Sequence, residues 1–206
     1  IKIDGITSVT RDTDFDDVPR YRSAGIKLTY PTAVEAMEGL RDGVLLEVGF
    51  DTVAPNEPKD ISSWLYDYAA DKVEIIDNRA KAVPCYDPRY TFVEKLQTVS
   101  TKFRHQQADA TDPVAFMRHY YDIYELLQCD DVQEFIGTQP YVKHKDDRFP
   151  NADNQNIAEN QAFILKDAET RAQYAGAYER SSALYYEGKP SFEEILAEVG
   201  KWIEEL

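Results

Sequence analysis

The sequence predicts an α+β fold, with a strand-rich part over residues 1–86 and a helical part over residues 87–206. Three observations support this prediction. Short alternating or apolar runs, bounded by Gly and Pro, occupy the first part. In the second part apolar residues recur every three or four positions, which is the period of an amphipathic helix. Two Asp-Pro pairs precede such repeats, and this arrangement is typical of helix starts.

Strands are predicted first where the polarity pattern is clearest. Residues 24–30 alternate apolar and polar side chains and end before Pro31. Residues 43–50 form an apolar run bounded by glycine, which is typical of a central, mostly buried strand. The remaining predictions for this part are a short helix over 32–40, a loop over 55–58, a helix around Trp64, Leu65 and Tyr68 capped by Asp60 or Ser62, and a strand over 72–76.

Helices are predicted from residue 88 onward. Asp87-Pro88 and Asp112-Pro113 indicate helices over about 88–106 and 113–128, which should pack as an antiparallel pair. Their inward residues are predicted to be Phe92, Leu96, Val99 and Phe103 in the first helix, and Phe116, Tyr120, Ile123 and Leu127 in the second. A short helix near Asp130, a loop-rich stretch over 138–165 and a helix near 167–186 follow. Ser191 and Glu194 form a capping box for a last helix with Phe192, Ile195, Leu196, Val199 and Ile203 inward.

Composition and charge exclude several classes of function. The chain has 23 Lys and Arg against 38 Asp and Glu, and its net charge of −15 opposes general binding to DNA. Any site for a polyanion is expected in residues 81–150, where the excess of acidic over basic residues is smallest and all three histidines lie. No apolar run approaches the ~18 residues of a membrane span. Cys85 and Cys129 lack a paired spacing, so a reducing, cytoplasmic location is expected.

Acidic residues in the first part have two interpretations. Asp12, Asp14, Asp16 and Asp17 resemble a metal cluster but lack the spacing of a calcium loop, so a solvated acidic turn explains them. Glu47 lies within an apolar run, where burial would be costly without a cation or hydrogen-bond donor. The alternative for Glu47 is an exposed sheet face.

Two charged residues in the helical part are also ambiguous. Lys95 interrupts an apolar helix and could simply extend its charge to water from the edge of the stripe. Asp122 lies one turn after Arg118 and could form an exposed ion pair with it, worth ~0.3–0.5 kcal/mol.

Several stretches together resemble the AbiEii/AbiGii toxin family of nucleotidyltransferase-like proteins. The strongest pieces are residues 90–96 (YTFVEKL) and 118–124 (RHYYDIY), which resemble the family's TF-x-EKL and R-H-x-YDLY helices. Residues 21–31, 45–49 and 188–193 follow the same order, so the resemblance covers about 20–206. It implies a strand-rich remnant of a nucleotidyltransferase-like domain followed by a helical part.

The resemblance also implies a set of site residues. The family is similar to polymerase β-type nucleotidyltransferases, which use carboxylates and Mg²⁺ to transfer a nucleotide from NTP. Glu47 matches the third acid and metal ligand, Lys95 the helical lysine that contacts triphosphate, and Asp122 an essential acid. Arg118 and His119 match phosphate or acceptor contacts. An RNA acceptor, such as tRNA, or a protein acceptor and a cognate antitoxin are the implied partners.

One departure from the family pattern concerns catalysis. The Gly-Gly/Ser turn and the Asp-x-Asp pair are missing, and Asp14-Phe15-Asp16 has only the letters of the latter. We expect either that the first catalytic motif precedes residue 1 or that the protein is a non-catalytic homologue. Residues 1–206 alone are expected to fold without catalysing transfer. The alternative function is a non-enzymatic module that binds a partner protein such as an antitoxin.

Overall fold

The structure is a computed structural model that describes residues 3–18, 22–33, 35, 42–181, 185 and 188–206. Its residues divide into two compact units, Ile1–Thr52 with Ser181–Gly188, and Val53–Arg180 with Lys189–Leu206. All described strands lie before residue 87, and all but one of the described α-helices follow it. The α+β fold class is therefore confirmed.

The first unit contains a three-stranded antiparallel sheet. Its strands are β1 (Ser8–Asp12), β2 (Ser23–Thr29) and β3 (Val44–Gly49), in that order across the sheet. Both strands predicted over 24–30 and 43–50 are thus present. Gly43 precedes β3 with φ +87°, and a Cβ there would lie 2.5 Å from the carbonyl oxygen of Leu28, so only glycine fits. The helix predicted over 32–40 falls mostly outside the described residues.

Strand β3 is not the central, mostly buried strand that its apolar run predicted. Among the described strands β2 is central, and β3 pairs only with it. Val44, Leu46 and Val48 are each about half exposed on one face of the sheet. Glu47 lies on the opposite face, because successive side chains of a strand alternate. An apolar run therefore indicated a strand here without indicating its burial.

The second unit opens with a two-stranded antiparallel sheet and a short helix. The strands are β4 (Asn56–Ile61) and β5 (Ala80–Tyr86), and helix α1 (Trp64–Ala69) lies between them. The loop predicted over 55–58 is wrong, since β4 begins at Asn56; a two-stranded sheet tolerates its Pro because every strand is an edge. The cap of α1 is Ser63, rather than Asp60 or Ser62. The strand predicted over 72–76 is also wrong, because these residues have no partner strand among those described.

The two long amphipathic segments of the second unit form the predicted helix pair. Helix α2 (Pro88–Asp109) begins where the Asp87 carboxylate accepts a hydrogen bond from the Arg89 amide. Asp112 instead caps a 3-10 turn (Pro113–Phe116), and helix α3 (Arg118–Leu126) follows it. Helices α2 and α3 pack on each other. The second helix is therefore shorter than predicted, with an irregular first turn.

Five further helices complete the second unit. They are α4 (Asp130–Phe135), α5 (Gln139–Arg148), α6 (Gln161–Ile164), α7 (Ala168–Arg180) and α8 (Phe192–Trp202). Helices α4, α7 and α8 match predictions, and the capping box of Ser191 and Glu194 is present. The predicted end of α7 near 186 falls partly outside the described residues. The loop-rich prediction for 138–165 missed the short helix α6 and the longer helix α5, which buries only Tyr141 and so has no apolar stripe.

The core of the second unit lies between these helices. Its fully buried side chains include Phe92, Leu96 and Val99 of α2, Tyr120 and Ile123 of α3, Tyr174 and Tyr178 of α7, and Ile195 of α8. The hydroxyl of the buried Tyr120 donates a hydrogen bond to the carbonyl of Ala162 over 2.7 Å. Both cysteines are free thiols. None of the described helices combines the length and apolar character needed to cross a membrane.

Candidate functional site: a lysine, histidine and aspartate between two helices

Lys95 lies on the side of α2 that faces α3. Its neighbours in the helix, Phe92 and Leu96, are fully buried and hold α2 against the core. The Lys95 side chain lies at the edge of this apolar stripe and is 27% exposed. Its ammonium group is therefore held at a packed helix interface while remaining accessible to a solute.

Two side chains of α3 meet the Lys95 ammonium group. Lys95 Nζ donates a hydrogen bond to Asp122 Oδ2 over 2.6 Å. His119 Nδ1 lies 3.4 Å from the same nitrogen and 3.5 Å from Asp122 Oδ2. His119 and Asp122 share one face of α3 because residues three apart in a helix are neighbours. The structure thus brings together three of the residues predicted from the resemblance.

Burial and neighbouring charges shift the pKa values of His119 and Asp122 in this cluster. Burial lowers the pKa of His119, with Lys95 and Arg118 adding to the effect while Asp122 opposes it. Burial alone would raise the pKa of Asp122, but the hydrogen bonds with His119 and Lys95 outweigh it and the pKa is lowered. At neutral pH these two pKa shifts favour a neutral imidazole at His119 and a carboxylate at Asp122.

Arg118 begins α3 and is exposed. In the described parts of the chain no ion pair joins it to Asp122, which pairs with Lys95 instead. The simple i, i+4 ion pair considered from the sequence is therefore absent. Arg118 remains next to the cluster as an accessible cation.

Glu47 lies on strand β3 of the first unit. Its side chain is exposed on β3, which agrees with the exposed-face alternative. It lines a hollow of about 480 Å³ together with Asp14, Asp16 and Asp17. The acidic turn is therefore part of the surface around Glu47. The resemblance also implies that Glu47, Lys95 and Asp122 converge on one cleft, and this stays a prediction.

The hollow supplies oxygen atoms of the kind that Mg²⁺ prefers. One of them is already engaged, since Arg11 donates to Asp16 Oδ2 over 2.7 Å. Among the residues that the structure describes, no three Asp, Glu, His or Cys side chains are arranged to hold a metal ion. The carboxylates have suitable chemistry, but by themselves they do not complete a metal centre, so water and phosphate oxygens would have to supply the remaining ligands of an ion.

A second charged cluster on α2 was missed in the sequence. Glu94 Oε1 accepts hydrogen bonds from Tyr86 over 3.2 Å and from His144 over 3.1 Å. Its Oε2 accepts one from Arg148 over 2.5 Å. The cluster joins α2 to β5 and α5. A signal in the sequence was the spacing of His144 and Arg148, which places both on one face of a helix.

Comparison with known protein families identifies the family of this chain. The family model described as nucleotidyl transferase AbiEii toxin, type IV toxin–antitoxin system, matches residues 2–198. The chain belongs to this AbiEii family, so it is a nucleotidyltransferase-like toxin whose system implies a cognate antitoxin. No curated protein sequence and no solved structure matches the chain.

Proposed function

We propose that the intact protein transfers a nucleotide from NTP to an RNA, such as tRNA, or to a protein acceptor, with Mg²⁺. The observation that supports this most is the cluster of Lys95, His119 and Asp122, in which a cation is held at an accessible helix interface. Such a cation suits a polyanionic substrate, and a helix pair with an apolar core positions it rigidly.

Lys95 would bind the triphosphate of the NTP. An ammonium group acts as a point charge for phosphate oxygens. Without substrate, Asp122 neutralises this charge and fixes its direction through the 2.6 Å hydrogen bond. With substrate, the ammonium group has further protons to donate, because it carries three. Asp122 then acts as a positioning residue for Lys95.

His119 and Arg118 would contact the phosphates or the acceptor. His119 is neutral at pH 7 because burial lowers its pKa, so it can accept a proton as well as donate a hydrogen bond. Arg118 is exposed beside it and retains a free guanidinium surface. His119 would therefore offer a base to the acceptor, and Arg118 would offer a cation.

Glu47 is the residue of this chain that we propose as a ligand of Mg²⁺. When bound, the ion would neutralise negative charge that develops on the phosphate. Mg²⁺ takes six oxygen ligands, and Glu47 supplies one carboxylate. Asp14 and Asp16 line the same hollow and are the next candidates.

The first experiment measures binding of a fluorescent ATP or GTP analogue by anisotropy, since binding requires no turnover. Lys95→Ala should weaken binding at least about tenfold by removing the triphosphate contact. Lys102→Ala is the matched control, because Lys102 is an exposed lysine of the same helix. Equal loss in both variants, or none in either, would contradict the role of Lys95.

The second experiment measures transfer of label from α-labelled NTPs to total RNA and protein of the host, with Mg²⁺ and with EDTA. In the intact protein, Glu47→Gln, Lys95→Ala and Asp122→Ala should each lower the rate by about 10²–10³-fold. Transfer by residues 1–206 alone would show that the proposed metal site is misplaced, and Asp14 and Asp16 would then be the first candidates. An intact protein without transfer activity on any host acceptor would refute the enzymatic proposal.

A further inference from the structure

A groove crosses the second unit at Tyr90, near the start of α2. It consists of two adjacent hollows, of about 380 and 670 Å³, which share Pro55, Tyr90 and Pro140. Both volumes lie in the range of ordinary ligand sites. We call this pair of hollows the Tyr90 groove. None of its lining residues belongs to the cluster of Lys95, His119 and Asp122.

The floor of the Tyr90 groove is aromatic and apolar. The Tyr90 ring lies 5.0 Å from the ring of Phe135 and 4.8 Å from the imidazole of His144, measured between centroids. Pro55 and Pro140 add surfaces that cannot donate backbone hydrogen bonds. A flat or aliphatic group can therefore stack here without leaving polar groups of the floor unpaired.

The charges around the smaller hollow are unbalanced. Arg89 is held by Asp87 at 2.5 Å, and at the larger hollow Lys143 is held by Asp147 at 2.6 Å. The carboxylates of Asp131 and Glu134 also line the smaller hollow, and among the described residues neither has a hydrogen bond or salt bridge. The groove therefore presents two carboxylates without a direct hydrogen bond or salt bridge beside an aromatic floor, where the Arg89 guanidinium already lies 5.9 Å from the centroid of the Phe135 ring.

We infer that the Tyr90 groove binds a basic side chain, arginine above all, on an extended segment of a partner protein. A guanidinium is planar and weakly hydrated, so it stacks on aromatic rings while its N–H groups reach carboxylates. Asp131 and Glu134 supply those carboxylates, and the larger hollow on the other side of Tyr90 receives the neighbouring residue of the segment. The net charge of −15 adds long-range attraction for such a partner. This site is independent of nucleotidyl transfer.

The test uses the full chain and a fluorescein-labelled pentapeptide, acetyl-Gly-Leu-Arg-Leu-Gly-amide, in a fluorescence anisotropy titration at low salt. A peptide with Glu in place of Arg serves as the ligand control. We expect the Arg peptide to bind and the Glu peptide to show no binding. Amide NMR shifts on titration should concentrate around Tyr90, Phe135 and Thr138, which surround the groove.

Matched variants separate the groove from general charge attraction. Asp131→Asn with Glu134→Gln should weaken binding about tenfold, which corresponds to two carboxylate contacts of moderate strength. Asp130→Asn with Glu125→Gln removes the same charge from exposed residues outside the groove and should change affinity less than about twofold. Thermal melts confirm that all variants fold.

Three results would overturn the inference: no binding of the Arg peptide, equal loss in both double variants, or shifts confined to other surfaces. Binding of a single-stranded oligonucleotide at these residues in place of the peptide would likewise overturn it. Because no nucleotide is present, these outcomes are read separately from those of the transfer assay.

Discussion

Glu94 and Lys95 are neighbours in α2, yet the two charged clusters around them differ in kind. Both oxygens of Glu94 are engaged, and its partners come from β5 and α5. Among the described residues, Lys95 forms polar contacts only with side chains of α3, and Asp122 in this pair is about one-third exposed. Successive residues of a helix point about 100° apart, so one face of α2 holds a structural joint and the next an accessible cation.

The comparison shows how a structural charge differs from an accessible one. The structural charge is more buried and bonds to more helices and strands. Glu94 bonds to three side chains from two other elements, so it helps to hold α5 and β5 against α2. The contact between α2 and α3 is already made by buried apolar residues such as Phe92 and Ile123. The charges of Lys95 and Asp122 are therefore not needed to hold these helices together.

The largest expected effect is on the Glu94 cluster. Glu94→Gln keeps the shape but removes the charge shared by Arg148 and His144, and should lower the free energy of unfolding by about 3 kcal/mol. Urea denaturation measures the loss. Glu125→Gln, at an exposed position of α3, should cost less than about 0.5 kcal/mol. A loss below about 1 kcal/mol for Glu94→Gln would show that the cluster is not a structural joint.

A smaller effect is expected for the pair of Lys95 and Asp122. Lys95→Met should cost about 1 kcal/mol or less, because both side chains are partly exposed. A double-mutant cycle with Asp122→Asn should give a coupling energy of the same size. If Lys95→Met cost about 3 kcal/mol or more, Lys95 would be structural and its proposed role in binding triphosphate would fail.

The pH dependence of stability should reveal His119. Its folded-state pKa is lowered from 6.5 chiefly by burial, so folding favours the neutral form. The stability that this contributes is fully present above pH 6.5 and is lost as the pH falls from 6.5 through the folded-state pKa. Unfolding free energies from pH 5 to 8 should therefore fall more steeply at acid pH in the wild type than in His119→Gln. Parallel curves would contradict a buried, neutral His119.

The smallest expected effect concerns an exposed ion pair. Arg180 donates to Asp112 over 2.6 Å, and both side chains are more than half exposed. Arg180→Gln should change the free energy of unfolding by less than about 0.5 kcal/mol, and 0.5 M NaCl should abolish the difference. A larger loss that salt does not change would show that the exposure of an ion pair does not predict its contribution to the free energy of unfolding.

Elements with strong local signals could be predicted from the sequence. Helices α2 and α8 combine a capping residue with a long apolar stripe, and both form where expected. Helix α5 has neither a stripe nor a long buried face, and its side chains instead bond to Glu94 and to the Leu206 carbonyl. Such tertiary contacts leave little periodicity in the sequence. Residues 72–76 show the opposite case, in which a local pattern is present but the structure is not. Their polar and apolar side chains alternate, yet they form no strand because no neighbouring strand pairs with them among the described residues.

The candidate site was predicted only in part, and only through the family resemblance. The motifs around Lys95 and Asp122 suggested a shared site, and in the structure Lys95 Nζ lies 2.6 Å from Asp122 Oδ2. The Asp14 and Asp16 side chains were interpreted as a simple acidic turn, because nothing in their spacing indicates that Glu47 lines the same hollow. Proximity between residues about thirty positions apart depends on sheet register, which local patterns do not encode.

The sequence by itself determined the fold class, the positions of the capped helices and the residues able to carry charge chemistry, because capping and apolar periodicity act over a few neighbouring residues. Only the tertiary structure decided which charges meet. Glu94 and Lys95 have similar sequence surroundings, and their roles differ because α5 and β5 contact one and α3 contacts the other. The free energy of a charge depends on burial and on its partners, and both are set by packing between distant segments.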